Sequence, residues 1–174
     1  MSKFRSPYRI VVVCWGNICR SPMAEFVLRQ AFDEAGLAHR VTVWSAGTST
    51  EELGRPMDRR TIAVMERNAV RDSGFRDKRA VQFQPDHFDE VDLVLAADHI
   101  HERILGERAR HRDDLDKIRL LRSFDPDAVA AGTLGMDDPW YGDDDDFDVT
   151  YAEIAAAAPH IVDHVREQLG DGGE

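Results

Sequence analysis

The sequence predicts an α/β domain of three layers: a central four-stranded parallel sheet, helices on both faces, and a phosphate loop after strand 1. Three observations carry that prediction. Apolar β-branched runs alternate with helical periodicities along the whole chain. The first run, Ile10-Val11-Val12-Val13, holds no polar residue, as expected of a strand buried on both faces. A tight-turn sequence then separates this strand from a helix, at the strand end where open α/β sheets hold ligands. No internal repeat or low-complexity linker divides the chain, so one domain is expected over 1–174, with its core from about 9 to 169.

The elements follow in order. Met1 to Pro7 reads as a flexible start and Arg9 to Cys14 as the first strand. Gly16 and Asn17 permit a sharp turn, Ser21 suits a helix N-cap, and Pro22 suits the first helical position. The helix runs to Ala35, with Met23, Phe26, Val27 and Ala31 inward and Gly36 as its stop. Val41 to Ala46 is the second strand. A turn at Gly54 to Asp58 leads into a helix to about Asn68, with Ile62, Val64 and Met65 apolar. Asp72 to Asp77 is a loop, and residues 79 to 88 form a connection. Asp92 to Ala96 is the third strand. His99 to about Arg110 is a helix with Ile100, Ile104 and Leu105 inward, and Ile118 to Leu121 is the fourth strand. Asp125 to Gly135 reads as loop, from its Asp-Pro and Gly breakers. The last helix spans about Phe147 to Leu169, facing inward with Ile154, Ala158, Ile161, Val165 and Leu169. Pro159 should kink or divide it, and Gly170 to Glu174 should fray.

Composition narrows the function. A formal charge of −11, from 33 acidic and 22 basic residues, argues against nucleic acid as a partner. Two cysteines, Cys14 and Cys19, make no disulfide scaffold, and the seven histidines form no zinc-binding pattern with them. The apolar run at Ile10 to Val13 is too short for a signal peptide, and no stretch has the length of a membrane span. A cytoplasmic protein, without membrane insertion and monomeric, is the expectation; export without a signal peptide stays open.

The chemistry concentrates between Cys14 and Arg20. A loop wrapping from Trp15 through Gly16, Asn17, Ile18 and Cys19 to Arg20 can aim its backbone N–H groups inward as an anion-binding nest. The helix that follows adds its positive end, and the Arg20 fork can grip two phosphate oxygens. The same field favours the thiolate of Cys14, placed for attack on a bound phosphorus. The plainer alternative is a small buried cysteine after an apolar strand. A second stretch, Met136-Asp137-Asp138-Pro139-Trp140-Tyr141-Gly142, offers a carboxyl group for proton transfer and aromatic walls for a flat ring.

Residues 13 to 25, Val-Cys-Trp-Gly-Asn-Ile-Cys-Arg-Ser-Pro-Met-Ala-Glu, resemble the signature of the low-molecular-weight protein tyrosine phosphatases. Asp138 to Gly142 resembles that family's Asp-Pro-aromatic-aromatic-Gly loop. The resemblance extends loosely from Arg9 to about Leu169. It implies Cys14 as nucleophile, Arg20 as phosphate clamp and Asp138 as general acid and then base. It also implies Trp15, Trp140 and Tyr141 as substrate walls, with Ser21 and Ser45 supporting the loop; Ser45-Ala46-Gly47-Thr48 resembles a stretch that packs beside it. Phosphotyrosine-bearing proteins, a tyrosine kinase among the candidates, are the implied partners, and no metal or organic cofactor is needed. In the family, a pair matching Cys14 and Cys19 can form a reversible disulfide that protects the nucleophile; a small buried filler is the alternative for Cys19. Asp143 to Asp146 reads as a solvated acidic loop or, alternatively, as a screen against acidic substrates.

One departure stands out. Many members carry a loop-supporting histidine between the second helix and third strand. Here Asp77-Lys78-Arg79-Ala80 is the nearest equivalent, and Lys78 receives no role from the sequence. Arsenate reductases share such a loop but resemble a relay of further cysteines, and none follows Cys19. Protein arginine phosphatases of the family look to carry threonine where this chain has Ile18. A silent phosphopeptide-binding module would need neither Cys14 nor Asp138.

Overall fold

The apolar run Ile10 to Val13 is fully buried on both faces at the middle of the sheet. The structure, a computed structural model, describes residues 6–170; the expected loose ends at 1–5 and 171–174 lie outside them. Strands β1 (Tyr8–Cys14), β2 (Val41–Gly47), β3 (Leu93–Ala96) and β4 (Ile118–Leu120) form one sheet in the order β2-β1-β3-β4. All pairs are parallel, with Cys14 opposite Gly47 and Val13 opposite Ala96. Successive side chains of a strand face opposite ways. Ile10 and Val12 therefore join one core, and Val11 and Val13 the other.

The first core is covered by α1 (Arg20–Glu34), α2 (Arg59–Arg67) and α6 (Asp144–Gln168), through residues such as Met23, Leu28, Met65, Ile154 and Ile161. The second is covered by Leu105 of α3 (His99–Arg108), with Phe83 and by Phe88 of the 3-10 turn Pro85–Glu90. Among the described residues, no helix is long and apolar enough to cross a membrane.

Several boundaries differ from expectation, each for a local reason. Helix α1 starts at Arg20, with Cys19 rather than Ser21 as N-cap. Ser21 is committed to other partners described below. Pro22 is the third helical residue, a position whose N–H has no intrahelical acceptor, so nothing is lost. Gly36, at φ +73°, ends the helix as expected. In α3, Ile100 is 44% exposed and His101 takes the inward place beside Leu105. The expected loop at 125–135 contains α5 (Pro126–Ala131). Asp125 accepts the Asp127 N–H at 3.0 Å, Pro126 opens the helix, and Gly132 closes it in a left-handed conformation. The supposed breakers are start and stop signals. Sequence reading also passed over α4 (Arg112–Asp116).

Asp143 to Asp146 is not a loop. Asp143 caps α6, accepting the Asp145 N–H at 3.0 Å, and Asp146 returns to the Asp143 N–H at 2.8 Å. Carboxylates there oppose the positive helix end. The helix therefore begins three residues before Phe147. Pro159 does not divide it: that residue is exposed, so the Ala155 carbonyl it leaves without a donor can meet water.

Candidate active site

A cysteine at the end of a central strand must turn away before reaching the solvent edge of the sheet. Here the turn occupies residues 15–19, with Asn17 at φ +60°, a conformation asparagine tolerates. The loop folds back onto β2. Thr48 N–H donates to the Cys14 carbonyl at 2.8 Å and Ser49 N–H to that of Trp15 at 3.0 Å. A Cβ on Gly47 would lie 2.6 Å from the Trp15 oxygen, so only glycine permits this approach.

Behind the loop runs a chain of buried polar groups. Val81 N–H donates to Asn17 Oδ1 at 3.0 Å, which identifies Nδ2 as the donor end of that amide. Asn17 Nδ2 then donates to Ser21 Oγ at 2.8 Å and to Ser45 Oγ at 3.0 Å. Ser45 Oγ in turn donates a hydrogen bond to Glu25 Oε1 at 2.7 Å. Ser21 Oγ, having accepted, faces Cys14 Sγ at 2.9 Å with a proton to give. The direction of the chain thus delivers a donor to the Cys14 sulfur. All four of Asn17, Ser21, Glu25 and Ser45 are buried. Asn17 therefore offers the cavity only its backbone; its side chain points into the relay.

Arg20, 4% exposed, closes the opposite side. Its Nη1 donates to the Met136 carbonyl at 2.8 Å, and its Nη2 lies 3.3 Å from Asp138 Oδ2. The Arg20–Met136 bond joins segments 116 residues apart. The Asp138 stretch is held on the sheet: Met136 N–H donates to the Ala97 carbonyl at 3.1 Å and Arg122 to the Gly135 carbonyl at 2.7 Å. Asp138 also accepts the Trp140 N–H at 3.1 Å, capping a 3-10 turn over Pro139–Tyr141.

These pieces enclose a cavity of about 150 Å³. Cys14, Gly16, Ile18, Cys19 and Arg20 form its base, Asp138 one side, and Trp15, Trp140 and Tyr141 its mouth. Trp140 and Tyr141 meet edge to face at 5.0 Å, and Trp15 Nε1 donates to Glu51 at 3.1 Å. A larger hollow of about 400 Å³ between α1 and the edge of β2 holds no cysteine or histidine. Elsewhere Asp89, His111 and Asp114 approach within 4.8 Å, but Arg110 already bonds both carboxylates, at 2.7–3.0 Å.

Both cysteines are free. Burial pushes the Cys19 thiol far above its usual range, and the negative charges of Asp58, Cys14 and Asp138 push the same way. Asp58 is held low: burial opposes its charge, but hydrogen bonds from Arg60 outweigh that. Behind Arg20 lies His101, 1% exposed, whose Nδ1 finds no partner. Burial, then the Arg20 charge, pulls its pKa down to about 3.

His101 should therefore tie stability to pH. The unfolded side chain takes up a proton near the ordinary value of 6.5, the folded one only near 3. Between those values the unfolded chain binds more protons, so stability falls as pH drops from about 6.5. Urea unfolding between pH 6 and 5 should show a slope shallower by up to about 1.4 kcal/mol per pH unit in His101→Leu than in wild type. Parallel slopes would mean the imidazole is protonated in the folded state.

Sequence reading missed Glu25 and Glu51. Glu25 is four residues from Ser21 on α1, hence on the same helix face, and that spacing was available as a signal. Glu51 lies in a turn whose place beside Trp15 no local pattern reveals.

Comparison with known proteins gives a consistent result. The family model for low molecular weight phosphotyrosine protein phosphatase matches residues 9–170. A low molecular weight protein-tyrosine-phosphatase of Streptomyces coelicolor is 45% identical over 163 residues, covering 93% of this chain and 96% of that protein. The low molecular weight protein-tyrosine phosphatase A of Mycobacterium tuberculosis is 38% identical, covering 96% and 97%. Among solved structures, Wzb of Vibrio vulnificus in complex with benzylphosphonate aligns with a TM-score of 0.75 at 28% identity, over 91% of this chain and 99% of that one. YfkJ of Bacillus subtilis shares the fold with a TM-score of 0.84 at 24% identity, over 95% and 98%.

Proposed function

The chain belongs to the low molecular weight phosphotyrosine protein phosphatase family, and as such a protein-tyrosine phosphatase we propose that it hydrolyses phosphotyrosine in proteins through a phosphocysteine on Cys14. The observation that carries this reading is the meeting of Cys14, Arg20 and Asp138 around one small cavity with aromatic residues at its mouth. The benzylphosphonate bound by Wzb, an aromatic ring carrying a phosphonate, supports an aryl phosphate as substrate.

The phosphotyrosine dianion enters between Trp15, Trp140 and Tyr141. Backbone N–H groups from Trp15 to Arg20 receive its oxygens. Arg20 gives up its contacts with Met136 and Asp138 and binds two of those oxygens as a fork. Cys14, held as acceptor by the Ser21 hydroxyl, attacks phosphorus in line. Asp138, released from Arg20 and protonated from solvent, gives that proton to the departing phenol and is left as a carboxylate. Water, deprotonated by Asp138, then cleaves the sulfur–phosphorus bond and frees inorganic phosphate. The loop and Arg20 match the equatorial oxygens of the transition state, and that match supplies most of the acceleration. The reaction so written needs neither a metal nor an organic cofactor.

The cavity favours a long aryl ester over a short alkyl one. In chelator, a phosphotyrosine peptide should be hydrolysed with kcat/KM at least about 100-fold above its phosphoserine counterpart, since serine phosphate cannot reach Cys14 past the aromatic mouth and has the poorer leaving group. Equal rates, or no hydrolysis of either, would contradict the reading.

A further inference from the structure

Arg60 stands in the first turn of α2, between the phosphate loop and the segment that carries Asp138. Its Nε and Nη2 grip the two oxygens of Asp58 as a planar fork, at 3.1 and 2.9 Å. Asp58 is tied in turn to the phosphate loop, its N–H donating to the Ile18 carbonyl at 2.9 Å. On its other side Arg60 Nη1 donates to the Gly142 carbonyl at 3.4 Å, and the guanidinium lies 4.6 Å over the buried ring of Phe147. Gly142 closes the turn that Asp138 caps. Its N–H donates to the Pro139 carbonyl at 2.9 Å, and a Cβ there would collide with Asp146 Oδ2. A continuous chain of contacts thus runs from Ile18 through Asp58 and Arg60 to Gly142.

We propose that Arg60 is a positioning residue for Asp138: it holds the acid-bearing turn over the phosphate loop once Arg20 has turned to the substrate. The proposal rests on the phosphatase reading above. Arg20 ties the Asp138 segment directly, through Met136 and Asp138 itself. Substrate oxygens take those same donors, so the direct tie is lost at the step in which Asp138 must act. On the N-terminal side the segment keeps its bonds to the body of the protein, from Met136 to Ala97 and from Arg122 to Gly135. On the C-terminal side Arg60 supplies the side-chain bond to Gly142. Asp138 then hangs between two anchors, Met136 and Gly142, and loss of the second lets the carboxyl group drift from the leaving oxygen. Arg60 does not line the cavity, so it acts on the place of the acid and not on the nucleophile or the bound phosphate.

The test compares kcat/KM of wild type, Arg60→Met and Arg60→Gln on a phosphotyrosine peptide and on p-nitrophenyl phosphate, beside the rate at which iodoacetamide alkylates Cys14. Each variant guards against a folding failure of the other, and in both the residue-60 N–H can still bond the Asp58 cap of α2, as it does at 2.8 Å. On the phosphotyrosine peptide kcat/KM should fall about 10- to 100-fold, the scale of moving a reacting group by about 1 Å. Nitrophenolate leaves with little help from an acid, so p-nitrophenyl phosphate should lose less than about threefold. Because the action passes through Asp138, adding Arg60→Met to Asp138→Asn should change kcat/KM on the peptide by less than about twofold. Cys14 should alkylate within about twofold of the wild-type rate. Equal losses on the two substrates, a full additional loss beside Asp138→Asn, or a Cys14 alkylated several-fold more slowly would overturn the proposal. A wild type whose Cys14 alkylates but which hydrolyses neither substrate would overturn the phosphatase reading itself, and the proposal with it.

Discussion

Cys14→Ser should lose hydrolysis of phosphotyrosine by on the order of 10⁵-fold or more, the scale on which removing a nucleophile acts. Cys14 is 3% exposed, at the base of the cavity, and its sulfur receives the one proton the buried chain has left to give. A serine hydroxyl in that place keeps its proton at neutral pH and would meet the Ser21 donor as a poor nucleophile. The substitution removes little else. Arg20 and the loop backbone stay, so a phosphotyrosine peptide should still bind, measurable by calorimetry, within about tenfold of the wild-type KM. Retained hydrolysis would place the nucleophile elsewhere; loss of binding together with activity would show instead that the loop had collapsed.

Asp138→Asn should lower kcat on phosphotyrosine by about two to four orders of magnitude. Of the three acids lining the cavity, Glu51, Glu52 and Asp138, it is Asp138 that pairs with Arg20, held there by the Trp140 N–H and the Arg20 fork. The loss should shrink when the leaving group needs no proton, so p-nitrophenyl phosphate should suffer less than phosphotyrosine. Asparagine keeps the cap on the 3-10 turn and leaves Arg20 bonded to Met136, so the fold and the mouth should persist. A uniform loss for both substrates would point to a displaced Arg20 rather than a missing acid.

The sheet was legible because its signals are local and repeated. Ile10 to Val13 carries the signature of a doubly buried strand in four consecutive residues, and β3 follows the same rule, whereas the edge strand β2 leaves Thr42 exposed between buried neighbours. The helix ends were less legible where one residue type serves two purposes. Asp125-Pro126 opens a helix as readily as it ends a strand, and the acid run at 143–146 is a cap as well as a charged surface. Ser21 shows the same ambiguity: a good N-cap by type, it serves Asn17 and Cys14 because the backbone turn reaches α1 two residues earlier.

The site divides along the same line. Cys14 to Arg20 is contiguous, so its loop could be read directly. Asp138 needed a second motif, since the fold alone brings it to Arg20. The support behind the loop was legible only in fragments. Ser45 depends on the register of β2 against β1, and Lys78 on a contact with the Ser45 carbonyl across 33 residues that no periodicity encodes. Those contacts belong to tertiary geometry, which is why Lys78 received no role before the structure.

The most direct measurement is rapid-quench mass spectrometry of the Asp138→Asn variant mixed with a phosphotyrosine peptide. Without its acid and base the variant should form the intermediate slowly and release it more slowly still, so a phosphoryl group should be found on the peptide that contains Cys14. A phosphoryl group on any other residue, or steady release of phosphate with Cys14 unmodified throughout, would contradict the account.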